Sequence, residues 1–234
     1  MSARRRTNYG PARLAGLVGR HRSTVWKVLR RHGLSRLRRS PRQSYRRYEW
    51  SRPGALLHVD TAQLPRFARP GHRVTGDRAR RTRAAGKVYL HACVDDHSRY
   101  AYVEEHPDER PKTAAAFMRR AIEHFSGLGL GPPEAVMTDN GNPYRSCAFG
   151  GELERVGARH ILTPPYTPRW NGKVERFIGT LQQEWAYART WRNSSERARS
   201  LLSFLRYYNR RRPHSSLGDR PPLSRVHNLC GQDS

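Results

Sequence analysis

Four short apolar segments, three of which end on aspartate, most constrain the fold of this chain. They are "ALLHVD" at residues 55–60, "KVYLHACVDD" at 87–96, "YAYVEEH" at 100–106 and "EAVMTD" at 134–139. Each has the length and the apolar content of a strand. Only "HSR" separates the second segment from the third, so this pair predicts an antiparallel hairpin.

Helical segments alternate with the later strands. The pattern predicts helices over about 112–125, 149–156, 171–187 and 195–209, with a short strand near 160–162. The order β, β, β, α, β, α, β, α, α predicts an α/β fold, a mixed sheet with flanking helices. Residues 66–83 contain seven Arg and one Asp, and we expect a mobile basic loop there.

The charge of the chain indicates a polyanionic partner. It contains 45 Lys and Arg against 19 Asp and Glu, a formal net charge of +26. An excess of this size favours nucleic acid as the ligand. The three cysteines form no CxxC pair, so neither a zinc site nor a disulfide framework is predicted. No apolar run approaches 18 residues, and we expect a soluble, intracellular protein without a membrane partner.

Residues 1–47 are predicted to form a basic DNA-binding region. The first acidic residue is Glu49, and 15 Arg or Lys precede it. Apolar spacing predicts two short helices with a tight turn, a helix-turn-helix beginning at Pro11, with Ser23 as the N-cap of the second helix. The residues expected to face DNA are Arg22, Thr24, Lys27, Arg30 and Arg31. The alternative is a basic helical hairpin without a DNA-reading role.

Three acidic residues are candidates for catalysis. Asp60 and Asp139 each end a strand, which in an open α/β sheet places them at the rim where active sites lie. Glu175 lies on the predicted long helix, about 100° from Val174, so we expect it to flank the buried face. Taken singly, such residues are more often turn or cap residues. Asp95 and Asp96 also end a strand and could supply a ligand, although a hairpin turn explains them as well.

A set of three carboxylates predicts a divalent metal site. Oxygen ligands without a competing His/Cys cluster suit Mg²⁺ or Mn²⁺ better than Zn²⁺. Two such ions activate the attacking oxygen and stabilise the leaving oxygen of a phosphodiester. In this interpretation, the abundant cations bind DNA and the rare acids hold the metals.

Several motifs together resemble a known family. They are "HVDTAQL" at Asp60, "VDDHSRYAYV" in the hairpin, "VMTDNGNPYRS" at Asp139, "TPPYTPRWNGKVERF" at Glu175 and the closing "YYNRRRPHSSLGDRPP". Residues 140–174, 35 in all, separate Asp139 from Glu175. This spacing is that of the D,D(35)E signature. The chain resembles integrase-core insertion-sequence transposases of the DDE superfamily, which are retroviral-integrase-like.

The resemblance implies a ribonuclease-H-like fold and a set of residue roles. It implies that Asp60, Asp139 and Glu175 are the catalytic triad and bind two divalent ions, and that Lys173 belongs to the DNA-binding residues. It implies cleavage of transposon-end DNA and strand transfer into target DNA, by a homo-oligomer on double-stranded DNA in the bacterial cytoplasm, associated with the nucleoid. We expect a helix-turn-helix region at 1–47, a catalytic core at 48–212 and a C-terminal tail at 213–234.

The chain also departs from the pattern of the family. Relatives usually carry a further helical DNA-binding region ahead of the one found here, so recognition of the element ends is expected to be incomplete, or to need another copy or a partner. Two alternative functions remain open. One is a transposase-derived DNA-binding protein or repressor without transposition activity, and the other is a ribonuclease-H-like nuclease that cuts without joining.

Overall fold

The computed structural model describes residues 2–7, 9–36, 48–71, 76, 86–164 and 168–226. The chain divides into two compact units, Met1–Arg47 and Tyr48–Ser234. The division falls at the same position as the predicted end of the DNA-binding region. Most of the basic loop predicted for residues 66–83 lies outside the described residues, as does the end of the predicted tail.

The described part of the first unit contains three helices, one more than the sequence pattern predicted. They are α1 (Ser2–Thr7), α2 (Pro11–Val18) and α3 (Arg22–Arg31). Pro11 opens α2 at a position where its missing N–H costs nothing, and Gly19, at φ 61°, ends α2 in the left-handed conformation. Helix α1 is joined to the end of α3 by Arg4, whose Nε donates to the Leu34 carbonyl at 3.1 Å.

The predicted cap of α3 is wrong by two residues. The helix begins at Arg22, and His21 is its N-cap, because the His21 ring nitrogen Nδ1 accepts a hydrogen bond from the Ser23 backbone N–H. Ser23 therefore lies inside the first turn. Its hydroxyl contacts the same His21 nitrogen at 2.7 Å.

The second unit is built on a five-stranded mixed sheet. Its strands are β1 (Leu56–Pro65), β2 (Lys87–Asp95), β3 (Ala101–His106), β4 (Ala135–Thr138) and β5 (Arg159–Leu162). They lie in the order β3-β2-β1-β4-β5. The predicted hairpin of β2 and β3 is antiparallel, as is the pair of β1 and β2, whereas β4 lies parallel to both β1 and β5.

Helices cover both faces of this sheet. They are α4 (Pro111–Gly127), α5 (Cys147–Glu154), α6 (Gly172–Leu181), α7 (Ser194–Arg210) and the short α8 (Leu223–Val226). Helices α4 and α5 pack with Leu57 and Val59 of β1 in one core cluster. Helices α6 and α7 pack with Ala62 and Leu64 in another. Because strand side chains alternate between faces, Asp60 shares the face covered by α6 and α7.

Three boundaries that matter for the site differ from the sequence prediction. The strand predicted for residues 55–60 continues as β1 to Pro65, so Asp60 lies within the strand and not at its end. The long helix predicted for residues 171–187 consists of two parts. The α-helical part, α6, ends at Leu181, and one π-helical turn, Gln182–Ala186, follows it and buries Trp185. The predicted tail is not separate from the core over its described part, since Leu217 and Val226 are both buried. Val226 belongs to the core cluster on the α4 face.

Candidate active site

Asp60 lies on the central strand just beyond the point where the neighbouring strand β4 ends. Strand β4 pairs only with Leu56, Leu57 and His58 of β1, whereas β2 pairs with β1 as far as Pro65. Among the described residues, the second half of β1 therefore pairs with a strand on one side only. Asp60 is part-buried there, and its Oδ1 accepts a hydrogen bond from the Thr61 N–H at 2.7 Å.

Asp139 follows β4 directly, at the edge of the sheet that Asp60 also approaches. It is exposed, and its Oδ1 accepts from the Gly141 N–H at 2.8 Å. A Cβ atom at position 141 would lie 2.8 Å from that same oxygen, so a larger residue there would displace the Asp139 carboxylate. The Asn140 amide donates to the Thr163 carbonyl at 2.7 Å and fixes the other side of the turn.

Glu175 lies in the first turn of α6 and is more exposed than its helical position predicted. The buried residues of this helix are Val174, Phe177 and Leu181, whereas Ile178 is only half-buried. Because Phe177 is buried, the buried face of α6 lies further from Glu175 than the sequence interpretation predicted. A carboxylate in the first turn is favourable, because it complements the positive end of the helix dipole.

The charges of the other two acids act on Asp60. Burial raises the pKa of Asp60 to about 6, the bond from Thr61 opposes this rise, and the negative charges of Asp139 and Glu175 add to it. Within the described residues, no three His, Cys, Asp or Glu side chains form a ready-made metal cluster. Asp139 and Glu175 therefore lie close enough to act on Asp60 electrostatically, but the three carboxylates do not converge on one metal position.

The hairpin acids Asp95 and Asp96 are buried, and their carboxylates are occupied by the fold. Asp95 accepts from the Gly54 N–H at 2.8 Å and from the Ser98 N–H at 2.7 Å. Asp96 accepts from the Trp50 N–H at 2.8 Å. The sequence interpretation of these acids as turn residues agrees with these contacts, although it did not anticipate their full burial.

Lys173 binds inward, toward Asp96. Its Nζ donates to the Asp96 carboxylate and, at 3.0 Å, to the Tyr48 carbonyl, and it lies 4.6 Å from the centroid of the Tyr48 ring. Only 17% of its side chain is exposed. Although burial alone raises the pKa of Asp96, the bonds from His58, Lys173 and Trp50 lower it to about 2.

Two buried residues connect β1 to the start of α6: His58, which the sequence interpretation missed, and Asn171, which it assigned only to the motif before Glu175. The His58 ring contacts the Asp96 carboxylate through Nε2 at 2.8 Å and the Asn171 Oδ1 through Nδ1 at 3.0 Å. The Asn171 Nδ2 donates to the Val59 carbonyl at 3.0 Å. In the sequence, His58 stands two residues before Asp60, and Asn171 stands four residues before Glu175.

The predicted DNA-binding side chains of the first unit are exposed. These are Arg22, Thr24, Lys27, Arg30 and Arg31 of α3. Trp26, which the sequence interpretation did not select, is 42% exposed, and the Arg30 guanidinium lies 5.2 Å from the centroid of its ring. Thr24 also borders an apolar depression with Val18 and Val28.

The fold and the three carboxylates at its edge define an α/β protein of the ribonuclease-H type, with a strongly basic surface charge. A family model described as the integrase core domain matches residues 51–168, half of the chain, and a second model with the same description matches residues 156–222. The chain belongs to the integrase core domain family. The first match contains Asp60 and Asp139, and the second contains Glu175.

Similar proteins agree with this membership. The chain is 40% identical over 105 residues to an uncharacterized 39.2 kDa protein of insertion element IS476 from Xanthomonas euvesicatoria. That alignment covers 44% of this chain and 30% of the relative, so the matched part spans less than a third of the relative's length.

Solved structures share the fold at low sequence identity. A chain of the cryo-EM structure of the simian T-cell lymphotropic virus intasome, in complex with PP2A regulatory subunit B56 gamma, superposes with a TM-score of 0.59 and 19% identity. This match covers 97% of this chain and 73% of that one. The HTLV-2 integrase catalytic core domain, in complex with magnesium in a trimeric form, gives a TM-score of 0.53 and 16% identity, covering 76% of this chain and 99% of that one.

Among the helices of the described residues, none is long and apolar enough to cross a membrane.

Proposed function

We propose that the chain is a DNA transposase in which Asp60, Asp139 and Glu175 are the catalytic residues. It cleaves transposon-end DNA and joins the resulting 3′-hydroxyl to target DNA. The observation that carries this proposal is the charge around Asp60. In a protein of net charge +26, burial and the carboxylates of Asp139, Glu175 and Glu109 disfavour its ionised form, and no cation of the described residues is among its principal electrostatic neighbours.

This arrangement fits a pair of Mg²⁺ or Mn²⁺ ions. A part-buried carboxylate beside two others is stabilised when a cation joins the group, and carboxylate oxygens are the ligands that these ions prefer. Asp60, Asp139 and Glu175 would hold the ions. When bound, two such ions activate the attacking oxygen and stabilise the leaving oxygen of a phosphodiester. The magnesium complex of the HTLV-2 core supports this choice of metal for the shared fold.

The chain's own residues orient the carboxylates before any ion binds. The Thr61 N–H holds one oxygen of Asp60, and the Gly141 N–H holds one oxygen of Asp139. Each acid therefore keeps its second oxygen available. The Glu175 side chain is exposed and makes no hydrogen bond or ion pair with the described residues, so its carboxylate is free to turn toward the other two.

DNA binding in this proposal belongs mainly to the first unit. Its exposed cations on α3 contact phosphates, and Trp26 lies among them. Lys173 is omitted from the DNA-binding set, because its ammonium is engaged by Asp96. The division of labour is recognition by residues 1–47 and chemistry by the unit that follows.

The proposal includes assembly of the protein on DNA. Joining two transposon ends to a target requires more than one active site, so a homo-oligomer on double-stranded DNA is expected. The simian viral relative of this fold was solved as an intasome, which supports the idea of a multi-subunit complex. The charge of +26 further predicts association with the nucleoid of the bacterial cytoplasm.

The substitution Glu175→Gln tests the proposal. It keeps the shape of the side chain and removes the charge that a divalent ion requires. We expect DNA binding close to that of the parent, with cleavage and joining reduced by several orders of magnitude. Glu123→Gln is the matched control, because Glu123 is an exposed glutamate of α4 on a helix that carries none of the three acids.

A labelled element-end duplex with Mg²⁺ or Mn²⁺, followed for nicked and joined products beside a gel shift, gives the measurement. Cleavage by Glu175→Gln at the parent rate would refute the assignment of the triad. Nicked products without joined ones from the parent would indicate a nuclease, and DNA binding without either product would indicate a repressor.

A further inference from the structure

The start of α6 replaces the missing end of β4 beside β1. Strand β4 pairs with β1 only as far as His58, so the Val59 carbonyl lies just beyond this pairing. The Asn171 amide donates to that carbonyl at 3.0 Å, and Asn171 is itself buried, with 3% of its surface exposed. A side chain at the start of a helix thus continues the hydrogen bonding of a strand.

Asn171 occupies the N-cap position of α6 but does not cap the helix. Asparagine at this position commonly accepts a hydrogen bond from the N–H groups of the first turn. Here the side chain makes no such bond, and both of its polar atoms contact residues of β1, His58 and Val59. The helix therefore forgoes a side-chain cap in favour of a link to the sheet.

His58 holds the other side of this link. Because Nδ2 of Asn171 donates to Val59, its Oδ1 faces the His58 Nδ1 at 3.0 Å. The other nitrogen, Nε2, contacts the Asp96 carboxylate at 2.8 Å. His58 is fully buried, so water does not compete for either contact.

A second contact fixes the same helix end two residues later. Lys173 donates to the Asp96 carboxylate, the same group that His58 contacts. Asn171 and Lys173 therefore attach the first turn of α6 to β1 and to the turn that follows β2. Glu175 is two residues beyond Lys173, and Asp60 is two residues beyond His58.

We propose that His58 and Asn171 form a positioning bridge that sets the distance between the strand carrying Asp60 and the helix turn carrying Glu175. This proposal rests on the proposed function. Neither residue touches the reacting atoms. The bridge acts by holding the two carboxylates where one ion can contact both. Metal affinity, rather than stability alone, is the property that depends on it.

The chain offers a matched control in Asn209. It is buried, with 4% exposed, and its amide accepts from the Ala101 N–H at 2.9 Å and donates to the Ala101 carbonyl at 2.8 Å. It ties α7 to the edge strand β3, and neither element carries a candidate acid. Both asparagines thus fasten a helix to a strand, and only Asn171 does so between the proposed ligands.

The experiment measures binding of Mn²⁺ alone to the full chain by isothermal titration calorimetry. Loss of a group that orients metal ligands commonly weakens metal affinity roughly 10–100-fold. We expect this loss for Asn171→Ala, and a change within about twofold for Asn209→Ala, whose site is independent. Thermal unfolding of each variant sets a titration temperature at which it is folded.

A second pair of variants decides the matter if Asn171→Ala does not fold. His58→Gln should weaken Mn²⁺ affinity, whereas His91→Gln should not, because His91 is equally buried but bonds the Asp108 carbonyl away from α6. Equal Mn²⁺ affinities within either pair would overturn the bridge. If Glu175→Gln binds Mn²⁺ like the parent, the metal site of the proposed function fails instead, and the bridge falls with it.

Discussion

Replacing Asp60 with Asn should stabilise the metal-free protein while removing its response to metal. Burial and the charges of Asp139 and Glu175 raise the pKa of Asp60 to about 6, so its ionised form is less stable in the folded chain than in the unfolded chain. Asparagine is neutral and similar in shape, and its Oδ1 can keep the bond from the Thr61 N–H. The substitution therefore removes the destabilising buried charge and keeps the hydrogen bond from Thr61.

The magnitude follows from the two pKa values. One pH unit of difference in pKa corresponds to about 1.4 kcal/mol. The rise in the Asp60 pKa from 3.8 to about 6 therefore destabilises the folded state by about 3 kcal/mol at neutral pH. Removing this destabilisation should raise Tm by roughly 6–12 °C in a chain of this size.

The sign of the pH dependence is fixed by the same values. Below about pH 4 the carboxyl group is protonated in both states, and the parent and the variant should differ little. As the pH rises from about 4 to about 6, the unfolded chain releases its proton while the folded chain retains it, so the parent loses stability relative to the variant. Above about pH 6 the difference is complete.

The assay is thermal unfolding of both proteins in EDTA from pH 4 to pH 8, repeated in excess Mg²⁺. At about 100 times the dissociation constant, a bound ion stabilises the folded state by about 2.7 kcal/mol. The parent should gain this increment and the variant should not. An Asp60→Asn protein that unfolds at or below the parent temperature in EDTA at pH 8 would refute the argument from burial.

Three further outcomes are expected. DNA affinity should fall by about 10³ to 10⁵ between 50 and 200 mM salt if ~6 to 10 phosphates are neutralised, and a nearly flat dependence in a filter-binding titration would exclude a phosphate-dominated interface. Deleting residues 1–47 should abolish footprints on element ends while Mn²⁺ binding persists, and a retained footprint would place recognition elsewhere. Glu104→Gln should lower the free energy of unfolding at pH 7 by about 1–3 kcal/mol. Burial opposes ionisation of Glu104, but bonds from Arg120 and His106 lower its pKa to about 2, so this loss should shrink as the pH falls from about 4.5 toward 2 in denaturant titrations.

The sheet could be predicted from the sequence because its signals are local. The apolar runs of β2 and β3 and the turn between them lie within 20 residues, and they form the expected hairpin. The apolar run before Asp139 correctly predicts that this acid follows a strand, whereas Asp60 lies within β1, which continues to Pro65. The role of both acids in catalysis stays a prediction.

The remaining features depend on contacts between distant parts of the chain. The sequence pattern predicted that Lys173 is a surface cation. Its partner Asp96 lies 77 residues away in the sequence, and only folding brings the two together. The exposure of Glu175 depends on Phe177, which packs against Tyr208 of α7 with ring centroids 4.9 Å apart. The sequence pattern of α6 alone cannot include that partner.

The separation of His58 and Asn171 by 113 residues has a consequence for synthesis. Proteins are made from the amino terminus, and domains fold as their residues emerge. A chain of 170 residues already contains the cationic first unit, Asp60 and Asp139, but neither Asn171 nor Glu175. On the proposed assignment, a growing or prematurely terminated chain can therefore hold DNA before it is able to cut it.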